Sequence, residues 1–295
     1  GTLIQKATTG ADGTAKFTAD LPLGFSYDVK EVQAPEGYVR NTEDVYTFAF
    51  SYTNDKEAKQ TFKHTFKNER VTAKISLQKQ DKETKKAVPQ GDATLEKAVY
   101  GLYARADIVH PDGATGVVYK AGEQVATLTT DKNGQASVDG LYLGNYYVKE
   151  ITPPTGYLAD EEEHDLVCNY EGDLVAEVKR DCLSLEQVMK QPFQIIKAAN
   201  NGKTDADLLK GAGFTAYLVS SLKVNEDGSY DFDSAKPVVS GENGATEIFT
   251  DEKGYACSIP LPFGSYIVRE TTTPHNYKPV DDFEVNITEH HPNEP

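Results

Sequence analysis

The chain has 295 residues, 38% of them hydrophobic, which suffices for two or three ordinary domains and is too apolar for a broadly disordered polymer. Asp and Glu outnumber Lys and Arg 46 to 30; the net charge of -16 repels phosphate backbones and anionic lipid surfaces, arguing against nucleic acid and direct membrane contact. There is no tryptophan, one methionine and 17 tyrosines beside many Thr and Val, a composition that favours strands, and helix formers with a 3.6-residue period are hard to find.

Taken in chain order, GADGTAKF (10–17) predicts a hairpin turn between alternating residues, and LPLG (21–24) a glycine turn. That turn leads into YDVKEVQAPEGY (27–38), a strand ending in a Pro-Gly-Tyr turn, followed by the strand VYTFAFSYTND (45–55) and a closing strand TFKHTFKNE (61–69). ISLQKQD (75–81) opens a second round: DKNGQASV (131–138), LYLG (141–144), YYVKEITPPTGY (146–157) and HDLVCNYEGD (164–173). FQIIKAA (193–199) opens a third, with DEKGYACS (251–258), LPFG (261–264), YIVRETTTPHNY (266–277) and, less closely, DDFEVNITE (281–289). Glu31, Glu150 and Glu270 are 119 and 120 residues apart, and Lys79 and Lys197 are 118 apart. A fixed period of this length means tandem copies of one domain. Short strands with closely spaced turn signals predict an all-β architecture of tandem β-sandwiches, with boundaries at 1–70, 71–190 and 191–295. The first copy lacks its first strands, the third lacks its last strand, and the middle one is complete. The chain opens at Gly1 without an initiator methionine or signal peptide, and reads as a segment of something longer.

Strand parity puts charges on apolar faces. Lys79 shares a face with Ile75 and Leu77, Lys197 with Phe193 and Ile195, Glu150 with Val148, and Asn68 with Phe62, His64 and Phe66. A single inward charge ordinarily lies near a strand end and snorkels to water. Recurrence at equivalent positions argues for a shared role, because a charge buried alone costs several kcal/mol and must pair, neutralise or react. Burial raises a carboxyl pKa and lowers an amine pKa, so Lys and Glu side by side can exist as neutral amine and protonated acid. Such an amine is nucleophilic toward a carboxamide carbon held beside it, and the acid can shuttle a proton to departing ammonia.

The Lys strand with Lys79 and Asp81, the strand YxVKExxxPxGY and the closing FKNE together resemble the collagen-adhesin B-type, or SpaA-type prealbumin-like, domains of Gram-positive surface proteins. The resemblance covers essentially the whole chain and implies inverse-immunoglobulin sandwiches stacked as stalks in pilins and adhesins. It also implies an autocatalytic Lys to Asn or Asp isopeptide bond between first and last strands, assisted by a Glu on a middle strand. Carried over by position, Lys79 and Lys197 match the nucleophile, Glu31, Glu150 and Glu270 the assisting acid, and Asn68 the acceptor. In the middle copy the residue 37 positions after Glu150, as Asn68 is after Glu31, is Gln187, on the face of Leu183 and Leu185. Its extra methylene makes it a doubtful acceptor. Asn286 faces away from Phe283, Val285 and Ile287 and does not substitute.

The expected function is a structural stalk segment at the bacterial cell surface or cell wall, with neighbouring repeat domains of the same chain as partners. It is no enzyme beyond a single autocatalytic turnover. The alternative is an adhesin module whose loops recognise a host extracellular protein or glycan. No cofactor or metal site is expected. Cys168, Cys182 and Cys257 have no metal-ligand spacing and read as free, partly buried thiols; if NYEGD is a hairpin turn, Val175 rather than Cys182 lies opposite Cys168. NEDGSYDFD (225–233) reads as a solvated hairpin loop, DEEEH (160–164) as a solvated loop and EHHPNEP (289–295) as a polar linker.

Overall fold

A computed structural model describes residues 1–52, 54, 59–200 and 207–295; Thr53 and Asp55, at the end of the strand expected over 45–55, lie outside the described residues. The chain divides into two compact units, one of residues 1–71 with 170–176 and one of residues 72–169 with 177–295.

In the first unit, β1 (Ser26–Lys30) and β3 (Val45–Ala49) pair antiparallel, as do β2 (Tyr38–Val39) and β4 (Glu69–Arg70). The GADG segment closes as a turn, with Gly13 N–H donating to the Gly10 carbonyl and Thr14 N–H to Asp12 Oδ1. The closing strand is shorter than the alternation predicts, since only Glu69 of residues 61–69 lies in a ladder. Its face is kept instead by rings: Phe62 stacks on Phe48 at 4.9 Å and His64 on Tyr46 at 4.7 Å.

The second unit begins with β5 (Thr72–Asp81), whose burial alternates along its whole length, with Ala73, Ile75, Leu77, Lys79 and Asp81 inward. It is followed by β6 (Val99–Ala104), β7 (Ile108–Val109), β8 (Val117–Tyr119), β9 (Gln124–Thr129), β10 (Gln135–Leu141), β11 (Gly144–Thr152), β12 (Glu163–Cys168) and β13 (Glu177–Glu186). One sheet has the order β10-β5-β13 and the other β12-β11-β6-β9. Pairs are antiparallel except β5 with β13, which run parallel over ten residue pairs from Thr72 opposite Glu177 to Asp81 opposite Glu186. The first and last strands of the middle repeat are therefore neighbours. NYEGD is not a hairpin turn: β12 joins β11 while β13 joins β5, so the segment crosses from one sheet to the other. Inward Tyr100, Leu102, Tyr146, Val148, Val178 and Cys182 from both sheets fill the space between them. Cys168 and Cys182 are buried, whereas Cys257 is exposed, and burial pushes the Cys182 thiol up to about 12.

β14 (Lys190–Gln191) connects the middle repeat to the third, which continues with β15 (Gln194–Ile196), β16 (Gly213–Leu218), β17 (Lys223–Val224), β18 (Tyr230–Asp231), β19 (Glu247–Phe249), β20 (Tyr255–Cys257), β21 (Leu261–Pro262), β22 (Gly264–Thr272) and β23 (Phe283–Ile287). Its larger sheet has the order β19-β16-β22-β23, and β15 pairs with β20. Phe193, Ile195, Phe214, Ala216, Tyr266, Val268 and Ile287 build its core. β17 and β18 form a hairpin with residues 225–229 as its loop, so only the first half of NEDGSYDFD is loop and Tyr230 and Asp231 are strand.

Middle and third repeats meet in a defined joint. β14 pairs with β21, Asp92 N–H donates to the Phe263 carbonyl at 2.8 Å, and the Phe263 ring packs on Ala93, Leu95, Tyr157 and Val188. EHHPNEP is part of this joint rather than a free linker: Lys190 N–H donates to His290 Nδ1 at 3.1 Å.

Candidate functional site

The middle repeat buries three charged side chains at one point of its core. β5 delivers Lys79, β11 Glu150 and β13 Glu186; the Lys79 and Glu186 residues are 0% and 2% exposed, and the side chain of Glu150 1%. Lys79 is held on the main chain by the DKNG turn, since its N–H donates to the Gly134 carbonyl at 2.8 Å. Gly134 has φ of 73°, and a Cβ there would stand 2.8 Å from the Lys79 carbonyl, so turn and strand approach this closely only at glycine. The third repeat repeats the device, with Lys197 N–H bonded to the Gly254 carbonyl at 2.7 Å.

Lys79 Nζ is in direct contact with Glu186 Oε2 and lies 3.6 Å from Glu150 Oε1. Those three atoms are buried, and no other hydrogen-bond partner meets them among the described residues. The other oxygens are occupied. Glu150 Oε2 accepts the Asp160 N–H at 2.8 Å, and Glu186 Oε1 accepts from the Tyr100 hydroxyl at 2.5 Å, with Ser184 Oγ 3.1 Å away. The Tyr157 ring lies beneath Lys79 Nζ, 5.2 Å from ring centre, and its hydroxyl donates to buried Asp81 at 3.1 Å.

Burial pushes the Lys79 amine down to about 8, against the adjacent Glu150 carboxylate, which favours the ammonium form. Burial likewise pushes the Glu150 carboxyl above its usual range, opposed by the Asp160 N–H and by Lys79. The two shifts bring amine and acid toward their neutral forms, the states in which one attacks and the other donates a proton.

Gln187 is not in this cluster. Its amide donates to Glu83 Oε1 at 2.6 Å, and the residue at the end of β13 that faces Lys79 is Glu186. The parity of β13 runs opposite to the one its leucines suggest: Cys182, Ser184 and Glu186 point inward, while Leu183 is 49% exposed. The parallel pairing with β5 sets this phase, placing Ser184 opposite Lys79 and Glu186 opposite Asp81. The face Cys-x-Ser-x-Glu was the signal to read, with small side chains leaving room for the buried Tyr100 ring. Asp160, read as part of a solvated loop, supplies the N–H that anchors Glu150.

The other two repeats hold partial sets. In the first unit Asn68 Nδ2 donates to Glu31 Oε2 at 2.7 Å and to the Val39 carbonyl at 2.9 Å. In the third, Lys197 Nζ donates to Glu270 Oε2 at 2.7 Å, with the side chains 7% and 0% exposed. Glu270 Oε1 is buried without a hydrogen-bond partner among the described residues. Asn286 bonds Ser265 at 2.5 Å, away from both. All three glutamates are anchored alike, each Oε2 accepting the backbone N–H ten residues on, from Asn41, Asp160 and Val280.

Comparison with known proteins agrees with this architecture. The family described as SpaA, prealbumin-like fold domain, matches residues 1–65, 73–181 and 192–294. Among solved structures, the Bacillus anthracis TIE protein aligns over 97% of this chain at 25% identity with a TM-score of 0.56, and this chain spans 43% of its length. A streptococcal ancillary pilin aligns over 90% of this chain and 72% of its own at 21% identity and a TM-score of 0.29. The shaft pilin SpaA of Lactobacillus rhamnosus GG aligns over 74% of this chain and 94% of its own at 17% identity and a TM-score of 0.27. No curated protein matches the chain. With three matches that together take in nearly all its residues, the chain belongs to the SpaA prealbumin-like fold domain family.

Proposed function

We propose that the chain is a stalk segment of a bacterial cell-surface adhesin or pilin-like protein, built of three tandem domains at 1–70, 71–190 and 191–295. In this reading the middle domain is locked by an amide bond between Lys79 and Glu186. The observation that carries it is the dry contact of Lys79 with Glu186 across the first and last strands, with Glu150 beside them. The acceptor is a carboxyl, so the reaction is a condensation that releases water, not ammonia. Glu150 Oε1 takes a proton from the Lys79 ammonium, and the amine attacks Cδ of Glu186. Glu150 returns the proton to Oε2, the Cδ–Oε2 bond breaks, and Oε2 leaves as water with the two protons lost by Nζ. Ammonium and carboxylate become a neutral amide, so charge balances, and proximity in the folded core substitutes for an external enzyme. Glu31 with Asn68, and Lys197 with Glu270, are the acid and acceptor and the nucleophile and acid of two further sites of the same type.

Intact mass of the full chain under denaturing conditions tests the bond. The expected result is the loss of one water, with a branched peptide joining Lys79 to Glu186 after digestion. Glu186→Ala and Lys79→Ala abolish it and Gln187→Ala leaves it in place; an unmodified wild-type mass would overturn the reading. For the stalk role, a folded chain without saturable binding to host matrix proteins or glycans is expected, and such binding through its loops would favour an adhesin instead.

A further inference from the structure

Tyr100 and Ser184 lie outside the Lys, Glu and acceptor set, yet both hydroxyls converge on one oxygen of the reacting carboxyl. We infer that they form an oxyanion-stabilising pair that fixes Glu186 Oε1 as the oxygen retained in the amide and leaves Oε2 to depart. The inference rests on the condensation proposed above. Tyr100 OH stands 2.5 Å from Oε1 and Ser184 Oγ 3.1 Å from it, on the side of the carboxyl away from Lys79. The two hydroxyls are 3.0 Å apart, so each lies within reach of the other as well as of Oε1. Attack by Nζ on Cδ drives negative charge onto the oxygen that stays. Prearranged donors in a water-excluded site stabilise that charge without reorganising. Both residues are 0% exposed. Burial pushes the Tyr100 hydroxyl above its usual range, so it remains a donor throughout.

The fold itself does not demand this hydroxyl. Tyr100 pairs with Glu150 across β6 and β11, and the equivalent pair across β16 and β22 is Phe214 with Glu270. Phe214 is 1% exposed in a packed core, so a phenyl ring fits opposite the acid. Tyr100→Phe therefore keeps the ring and removes only the donor.

The test is the rate of bond formation in the full chain, made by pulse-labelled cell-free translation, chased for increasing times, quenched in denaturant and assayed by intact mass. Folding is followed in parallel by protease resistance. With wild type losing one water, Tyr100→Phe is expected to fold at the wild-type rate and form the bond about 100-fold more slowly, the usual cost of one oxyanion donor. Ser184→Ala slows it by roughly 10-fold, because the shorter Tyr100 bond remains. If folded Tyr100→Phe bonds as fast as wild type, the inference is wrong while the condensation stands. If wild type loses no water at any time, the condensation reading fails and takes this one with it.

Discussion

Glu150→Gln separates the covalent lock from the packing around it. The variant keeps Lys79 in contact with Glu186 but removes the proton carrier, so no amide forms. The parallel β5 and β13 set the mechanical consequence, because load on the chain ends enters the middle repeat at Thr72 and leaves it past Glu186. With the amide in place the load crosses from Lys79 to Glu186, and residues 80–185 carry none. Without it they extend, and about a hundred residues at roughly 3.4 Å each release about 350 Å of contour. The same cross-link closes a loop of about 100 residues, worth roughly 4.7 kcal/mol in the chain-entropy account. Single-molecule pulling of the full chain from its ends reads this directly. Glu150→Gln is expected to show one extension step of about 350 Å more than wild type. Equal numbers of long steps in the two proteins would refute the argument.

The DKNG turn predicts that Gly134→Ala destabilises the middle repeat by about 1–2 kcal/mol or more, from the left-handed backbone and the collision with the Lys79 carbonyl, read as a lowered Tm. In Glu150→Gln the unbonded Lys79 stays buried against Glu186, so the burial that pushes this amine down to about 8 in the wild-type core still lowers it when folded, and it returns to its ordinary 10.5 when unfolded. Between those values the unfolded chain binds more protons, so denaturation midpoints of the variant rise with pH relative to bonded wild type, whose amide does not titrate. Phe263→Ala removes a ring packed on Ala93, Leu95, Tyr157 and Val188, and is expected to cost about 2 kcal/mol and to split the unfolding of middle and third repeats into two calorimetric transitions.

Much of this was legible from period-two alternation. Parity along ISLQKQD, FQIIK and YYVKE placed Lys79, Lys197 and Glu150 inward, and all three are buried. Alternation states which residues share a face, but which face is inward on β13 depends on a strand a hundred residues away. The two leucines there pointed the wrong way, because pairing with β5 decided the phase and a tyrosine and a polar site occupied the space behind it. Counting from Glu31 and Asn68 missed Glu186 by one residue for a related reason: a connecting segment one residue shorter moves the acceptor to the preceding position. The joint between repeats was illegible, since LPFG and PTGY read only as turns until Phe263 is seen against Tyr157.

The three repeats differ in what surrounds the glutamate but not in what holds it. Its anchor is a main-chain N–H ten residues later, past the Pro turn, so it needs neither the first nor the last strand. Nucleophile and acceptor come from those two strands; the lysine recurs in the middle and third copies, whereas the acceptor and its neighbours change from Asn68 to Glu186. The support under the lysine changes with them: Asp81 bonds buried Tyr157 in the middle repeat, whereas its counterpart is Ala199 in the third, and there Tyr277 is 43% exposed. An acid oriented by local backbone keeps its place when its partners vary. This is why Glu150→Gln is a cleaner probe than Glu150→Ala, since a carboxamide oxygen still accepts the Asp160 N–H while losing the proton it must carry. The alanine variant would free that N–H as well, and mix loss of chemistry with loss of the turn.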